Sequence, residues 1–212
     1  MINQIKIFIK RKILRKIISK KLFWKFRHFF QKDYFKTKKL KSEQLTEFIR
    51  INEIKSVLDF GCSSGDDLFN LKLQFKDLYC FGIEINKNAI SYCNKNFKST
   101  FDGKFLFLNE LNEKKYMEII SFNKNKKIDL VVFNRVLYIL SDKELNLILQ
   151  ILILNPPKFI LINDFYSSNQ NDYDYKHRDY ESILKVFNYR KYIENETTQV
   201  LHCIAKEIIF KQ

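Results

Sequence analysis

Beyond Ser42 the chain alternates short continuous apolar runs with longer stretches in which apolar residues recur at helical spacing. The runs fall at 56–60, 79–85, 105–108, 128–134 and 159–165, and the helical stretches at 67–74, 88–97, 112–122 and 141–152. Strands that read as unbroken apolar runs are buried on both faces. Helices between them supply the cover, so the pattern predicts a doubly wound, mostly parallel α/β sheet. Ser42 is placed to cap a helix that follows it, with Glu43 in its first turn and Leu45, Phe48 and Ile49 on its apolar side. The tail reads differently: a helix over 178–187, then strands over 189–196 and 199–210 joined near Thr197, a link short enough for an antiparallel hairpin.

The first 41 residues lack Gly and Pro and interleave Ile, Leu and Phe with Lys and Arg, which predicts one or two basic helices. Ile5, Ile9, Ile13 and Ile17 form one row and Leu14, Ile18, Leu22, Phe26 and Phe30 another. A spacing of four drifts around a helix of about 3.6 residues per turn, so the rows make a winding stripe. With 212 residues, the chain holds one well-cored domain, expected over 42–212, and this extension, 1–41.

Charge sharpens that division. The formal net charge is +14, and residues 1–41 carry fifteen Lys or Arg against one acid, Asp33, so the body is neutral. Three readings of the extension stay open: a solvated helix against the body, a helix on an anionic membrane surface with Trp24 among its apolar anchors, or a grip on nucleic acid. Lys and Arg interrupt the apolar start too often for a signal peptide, and no run approaches the roughly 18 uncharged residues of a membrane span. The four cysteines, at 62, 80, 93 and 203, are spread without metal-clasp spacing. These features predict a reduced cytoplasmic protein, peripheral on the inner membrane face if the membrane reading holds.

Chemistry concentrates in Ser56-Val57-Leu58-Asp59-Phe60-Gly61-Cys62-Ser63-Ser64-Gly65-Asp66-Asp67, which reads as strand, small-residue turn and helix start. A P-loop needs Lys and then Ser or Thr after the last Gly, where Asp66 and Asp67 stand. A dinucleotide fingerprint needs Gly at first, third and sixth places, whereas here they are first and fifth. The acids oppose phosphate in both cases and favour a ligand with a cationic end. In the next strand, Phe81-Gly82-Ile83-Glu84-Ile85-Asn86, an acid stands 19 residues beyond Gly65. That is close to the ~20-residue offset at which a carboxylate meets two ribose hydroxyls.

With these residues in hand, the span from Ser42 to Phe210 resembles the class I S-adenosylmethionine-dependent methyltransferases, with 57–65 as their first motif. The resemblance implies a seven-stranded sheet ending in the hairpin, and S-adenosylmethionine as cofactor. It implies that Asp59, Gly61 and Gly65, with Cys62 and Ser63 between them, hold the methionine part. Glu84, followed by Ile85, would hold the ribose, and Asn109 or Glu110 would lie near the adenine. Asn134-Arg135-Val136-Leu137-Tyr138 is similar to the family's fourth motif, facing the methyl group. Two departures stand out: Ser63, where the family often has Gly, and Asn109, where an acid is common.

Methyl transfer is an in-line attack on a sulfonium carbon with a good leaving group, so alignment of the reactants carries most of the catalysis and few side chains are required. Candidates on the acceptor side are Asp164, at the end of a strand where open α/β sheets bind ligands, His177 in a Tyr-rich and acid-rich loop, and Tyr138. Asn155-Pro156-Pro157 evokes a nucleobase N-methyltransferase motif but precedes the fifth strand and is followed by Lys158, so it reads as a helix-ending turn. The expectation is therefore a methyltransferase acting on an O or N nucleophile of a small-molecule or sugar-containing acceptor. An RNA methyltransferase using the basic arm, and a silent nucleoside-binding scaffold, are the alternatives.

Overall fold

The structure, a computed structural model, describes Leu22 and residues 43–97, 104–107, 128–167, 178–200 and 203–212. The order is α1 (Glu43–Ile51), β1 (Ser56–Phe60), α2 (Asp66–Gln74), β2 (Tyr79–Glu84), α3 (Lys87–Phe97), β3 (Lys104–Phe107) and β4 (Leu130–Asn134). A 3₁₀ turn (Leu137–Ile139), α4 (Asp142–Leu154), β5 (Phe159–Ser167), α5 (Tyr180–Lys185), β6 (Arg190–Val200) and β7 (Cys203–Lys211) follow. The seven strands form one sheet in the order β3-β2-β1-β4-β5-β7-β6. The pairs from β3 across to β5 are parallel, and β7 runs antiparallel to both β5 and β6. The mostly parallel sheet with an antiparallel end is thus as the apolar runs predict.

Alternation along each strand divides the core into two layers. Leu58, Phe60, Val131, Phe133, Ile160, Ile162, Ile208 and Phe210 face α4 and α5. Val57, Leu130, Val132, Phe159, Leu161 and Ile209 face α1, α2 and α3. Phe48 of α1 meets Phe159 edge to face, with ring centroids 5.0 Å apart. Helix α4 begins with a capping box: the Glu144 amide donates to Ser141 Oγ, and the Ser141 amide donates to the Glu144 carboxylate.

Three boundaries differ from expectation. Thr197 lies inside β6, which continues to Val200, paired with Cys203. Helix α5 starts at Tyr180 rather than 178, because the Asp179 carboxylate caps it by accepting from the Ser182 amide at 3.1 Å. Arg178 is instead drawn to the main chain after β4. The strand expected from 128 begins at Leu130, because Asp129 turns to other work. The N-terminal extension apart from Leu22, the Ser42 cap and the helix expected over 112–122 lie outside the described residues.

Asp129 ties the amino-terminal ends of β1 and β4. Its carboxylate accepts from the amides of Lys55 at 2.8 Å and Ser56 at 3.2 Å, and its own amide donates to Ser56 Oγ at 2.9 Å. The side chain is nearly buried, with Lys158 Nζ at 3.2 Å. Removing it strands buried donors, at roughly 1–3 kcal/mol. We expect Asp129→Ala to lose about that much in urea unfolding. A change below about 0.5 kcal/mol would show the staple to be dispensable.

Candidate active site

The turn after β1 is fastened to the end of β2. The amides of Gly61 and Cys62 both donate to the Ile83 carbonyl, at 2.7 and 3.0 Å, and the Gly65 amide donates back to the Cys62 carbonyl at 2.9 Å. Closing so tightly needs left-handed backbone at Gly61 (φ +83°), Ser63 (φ +54°) and Gly65 (φ +73°). Glycine adopts it without strain, whereas a side chain costs roughly 1–2 kcal/mol. Ser63 bears that strain where Gly is common in the resembling family. A Cβ on Gly65 would also meet the Phe105 ring at 2.7 Å and Cys93 Sγ at 2.9 Å, so sterics exclude a side chain there twice over.

Glu84 closes the loop from the other side. Its Oε2 accepts from the Ser63 amide and its Oε1 from the Asn86 amide, both at 2.9 Å. A carboxylate offers two oxygens that each accept more than one hydrogen bond, the chemistry that suits a pair of neighbouring hydroxyls. Asn86 then caps α3, its Oδ1 accepting from the amides of Asn88 and Ala89. Ile85 sits between Glu84 and this cap, half-buried. Glutamate and turn are therefore in contact, as the 19-residue spacing requires.

Asp59 points into the layer beneath the turn. It is 4 % exposed, and its Oδ1 has no hydrogen-bond partner. Burial pushes its pKa well above the ordinary value, and the neighbouring Asp67 and Glu84 carboxylates push it the same way. Asp66 is also raised by burial, partly offset by the Ser64 hydroxyl that donates to it. Asp66 and Asp67 in the first turn of α2 further suit the helix dipole, a structural reason for acids there independent of any ligand. Asp59, Asp67 and Glu84 together make a desolvated acidic wall whose electrostatic deficit a cation would relieve.

From the wall a polar chain crosses to the neighbouring strands. Asn134, ending β4, donates through Nδ2 to Asp67 Oδ2 at 3.4 Å, and Asn163 of β5 donates to Asn134 Oδ1 at 3.3 Å. The backbone turns sharply at Arg135 (φ +54°), whose amide donates to the Asn163 carbonyl at 2.7 Å. Tyr138 is buried in the 3₁₀ turn that follows. Arg178 steadies this turn, donating to the carbonyls of Leu137 and Leu140 at 2.5 and 2.6 Å and pairing with Asp142 at 2.9 Å.

Of the acceptor-side candidates, Asp164 is 1 % exposed on the opposite face of β5, where it accepts from the Tyr180 hydroxyl at 2.8 Å. Burial, then the Asp164 charge and hydrogen bond, push Tyr180 far up. His177, Asn109 and Glu110 lie outside the described residues. Sequence reasoning passed over Asn163, Arg178 and the bonding role of Asp67; the polar end of β5 beside Asp164 was the available signal for the first. A recess lined by Arg190, Lys191, Tyr192 and Lys211 lies at the amino-terminal end of β5, away from the acidic wall. Its cations unsuit it to a sulfonium. Among the described residues no cluster could hold a metal, and no helix is long and apolar enough to cross a membrane.

A seven-stranded sheet with this order, a glycine-hinged turn after β1 and an acid ending β2 facing that turn define a nucleoside-binding α/β transferase class. The family model described as "Methyltransferase domain" matches residues 51–207. The chain accordingly belongs to that family, as a class I, Rossmann-like, S-adenosylmethionine-dependent methyltransferase.

Solved structures share the fold at low identity. Magnesium protoporphyrin IX methyltransferase (ChlM) from Synechocystis PCC 6803 with bound SAH superposes with TM-score 0.64 at 10 % identity, over 95 % of this chain and 98 % of that one. The methyltransferase domain of bacterial CtHen1 gives 0.60 at 12 %, over 80 % and 96 %. The StiE O-MT gives 0.61 at 13 %, over 80 % and 73 %. No curated protein matches the chain in sequence.

The buried carboxylate at Asp59 carries a sign that can be checked. With its folded pKa above the ordinary 3.8, the folded state holds the proton more tightly than the unfolded chain. Stability from this group is full below the unfolded pKa and is lost as pH rises through the folded one. Asp59→Asn should therefore raise the melting temperature of the ligand-free protein at pH 8, with the gap closing toward pH 4. Calorimetry showing the variant less stable at pH 8 would mean that the carboxylate is compensated.

Proposed function

We propose that the chain moves a methyl group from S-adenosylmethionine to an O or N nucleophile of a small-molecule or sugar-containing acceptor. Support for the cofactor's placement comes above all from Glu84, whose carboxylate is held against the Gly61–Gly65 turn by the Ser63 and Asn86 amides, at the strand end where a ribose-binding acid is expected. Asp59, with its unpartnered buried oxygen and two carboxylate neighbours, suits the cationic methionine end. The turn from Gly61 through Cys62 and Ser63 to Gly65 wraps that end, and Ile85 borders the ribose. By resemblance to the family, we assign Asn134 to the methyl group and Asn109 or Glu110 to the adenine.

When bound, S-adenosylmethionine supplies an electrophilic methyl carbon on a good leaving group. The protein's part is alignment and exclusion of water, effects worth up to roughly 7–11 kcal/mol. The left-handed turn and its clamps on Ile83 and Glu84 fix the cofactor side in advance. Asn134, tied to Asp67 and Asn163, fixes the strand end next to it. Tyr138 and His177 are the groups we assign to the acceptor side, with His177 as proton acceptor where the nucleophile needs one; Asp164, bonded to Tyr180 on the other face of β5, is given no such role.

Losing Glu84 removes both ribose acceptors and the Ser63 clamp. At roughly 1.5–3 kcal/mol for hydrogen bonds to a charged group, Glu84→Ala should weaken S-adenosylmethionine about 10- to 100-fold in calorimetric titration, with ATP failing to bind either form. Undiminished binding in the variant would remove the ribose assignment. Absence of methyl transfer to any acceptor, with tight binding retained, would favour the silent scaffold.

The basic extension, with fifteen of the cationic residues, is assigned to anionic surfaces, and lipid headgroups are the occupant we favour given its interleaved apolar residues. We expect residues 1–41 to be required for flotation with phosphatidylserine vesicles at low salt. Equal flotation of the full chain and a chain lacking them would end the membrane reading, and retention of RNA instead would favour the polynucleotide one.

A further inference from the structure

Three polar residues stand level across adjacent strands on the face shared with α1, α2 and α3. Asn134 of β4 is in register with Asn163 of β5, and Asn163 with Glu207 of β7. Strand alternation sets their side: Leu130 and Val132, Phe159 and Leu161, and Ile209 all belong to that layer. With neighbouring strands about 4.8 Å apart, the row spans roughly 10 Å. Its Asn134 end is tied to Asp67 in the first turn of α2, so it continues the cofactor wall across the sheet.

What sets this row apart is its unspent acceptors. Glu207 is 6 % exposed and, among the described residues, has no hydrogen-bond or ion-pair partner. Its neighbour Lys206 points from the opposite face, where it pairs with Glu194 at 2.6 Å. Asn163 commits its amide nitrogen to Asn134, and its Oδ1 is buried with no partner. Buried polar groups are almost always satisfied, and an unpaired buried carboxylate is costlier than an amide. A purely structural row would have been apolar here, as it is one step lower at Leu161 and Ile209.

We propose that Asn134, Asn163 and Glu207 form the ledge that binds the methyl acceptor, and that this acceptor presents hydroxyl or ammonium donors to it rather than phosphate or carboxylate. The inference rests on the cofactor reading above and adds the acceptor's chemistry to it. Donor groups spaced over a ring or short chain satisfy Asn163 Oδ1 and the Glu207 carboxylate together, and an ammonium gains most from the latter. An anionic acceptor group meets Glu207 and, beyond Asn134, the carboxylates of Asp67 and Asp59. Burial alone holds the Glu207 pKa above the ordinary range, in keeping with a carboxyl that lacks a cation until one is delivered.

The test is a melting-temperature titration of the full chain saturated with S-adenosylhomocysteine. The probes are glucosamine, methyl glucoside and glucose 6-phosphate, at concentrations up to tens of millimolar. Glucosamine and methyl glucoside should raise the melting temperature and glucose 6-phosphate should not. Glu207→Gln should weaken glucosamine at least tenfold, leave S-adenosylhomocysteine affinity unchanged, and melt no lower than the parent. Equal stabilisation by glucose 6-phosphate, no shift with any probe, or a variant that melts markedly lower would each overturn the ledge. A parent chain that fails to bind S-adenosylhomocysteine in calorimetry would sink the cofactor reading itself, whereas binding without any sugar effect sinks only the ledge.

Discussion

The hydrogen bond from the Ser63 amide to the Glu84 carboxylate joins the turn after β1 to the end of β2. Around it, the Gly61 and Cys62 amides converge on the Ile83 carbonyl, and Asn86 starts the next helix. One short stretch of left-handed backbone therefore decides where α2 begins, which way Glu84 faces and how α3 is launched. Any departure from positive φ at Gly65 would carry these contacts with it, since Phe105 and Cys93 leave no room for the turn to shift.

The same arrangement concentrates negative charge where water is scarce. Asp59 is buried next to Asp67 and Glu84, each raising its pKa, so the ligand-free protein carries an electrostatic cost at neutral pH. Away from this wall and the Glu207 ledge, buried ionic groups are well supplied: Asp129 receives three donors, and Arg178 reaches two carbonyls and a carboxylate. Strain tolerated at one place and avoided at others is a mark of a site that trades stability for binding. A cationic ligand inverts the balance, because the groups that repel one another in its absence all attract it.

Much of the sheet was legible because a central parallel strand has few alternatives. Ser56 to Phe60 is apolar but for Ser56 and Asp59, and the strand ends where Gly61 ends it. The edge was harder. Glu194-Asn195-Glu196-Thr197-Thr198-Gln199 has the composition of a turn, yet its backbone pairs with β7 through two register irregularities. An edge strand needs hydrogen-bond partners more than apolar side chains, so composition misplaces its end. Asp129 was equally obscure: an acid at the head of an apolar run looks like a solvated strand end until the Lys55 and Ser56 amides are seen beside it.

The cofactor side of the site was readable for a related reason. Glu84 and the turn it contacts lie within one β-α-β unit, so a sequence offset translates directly into a distance. Asn134, Asn163 and Glu207 come from strands 29 and 44 residues apart, and only the antiparallel register of β7 against β5 brings the last two level. A shift of one residue in that pairing would send Glu207 to the α4 and α5 side and Ile208 into its place. Acceptor recognition in this fold therefore depends on non-local register, while cofactor recognition depends on a local turn. That separation allows one sheet architecture, held in common with ChlM and the StiE O-MT at 10–13 % identity, to carry acceptor-side residues that vary independently of the cofactor turn.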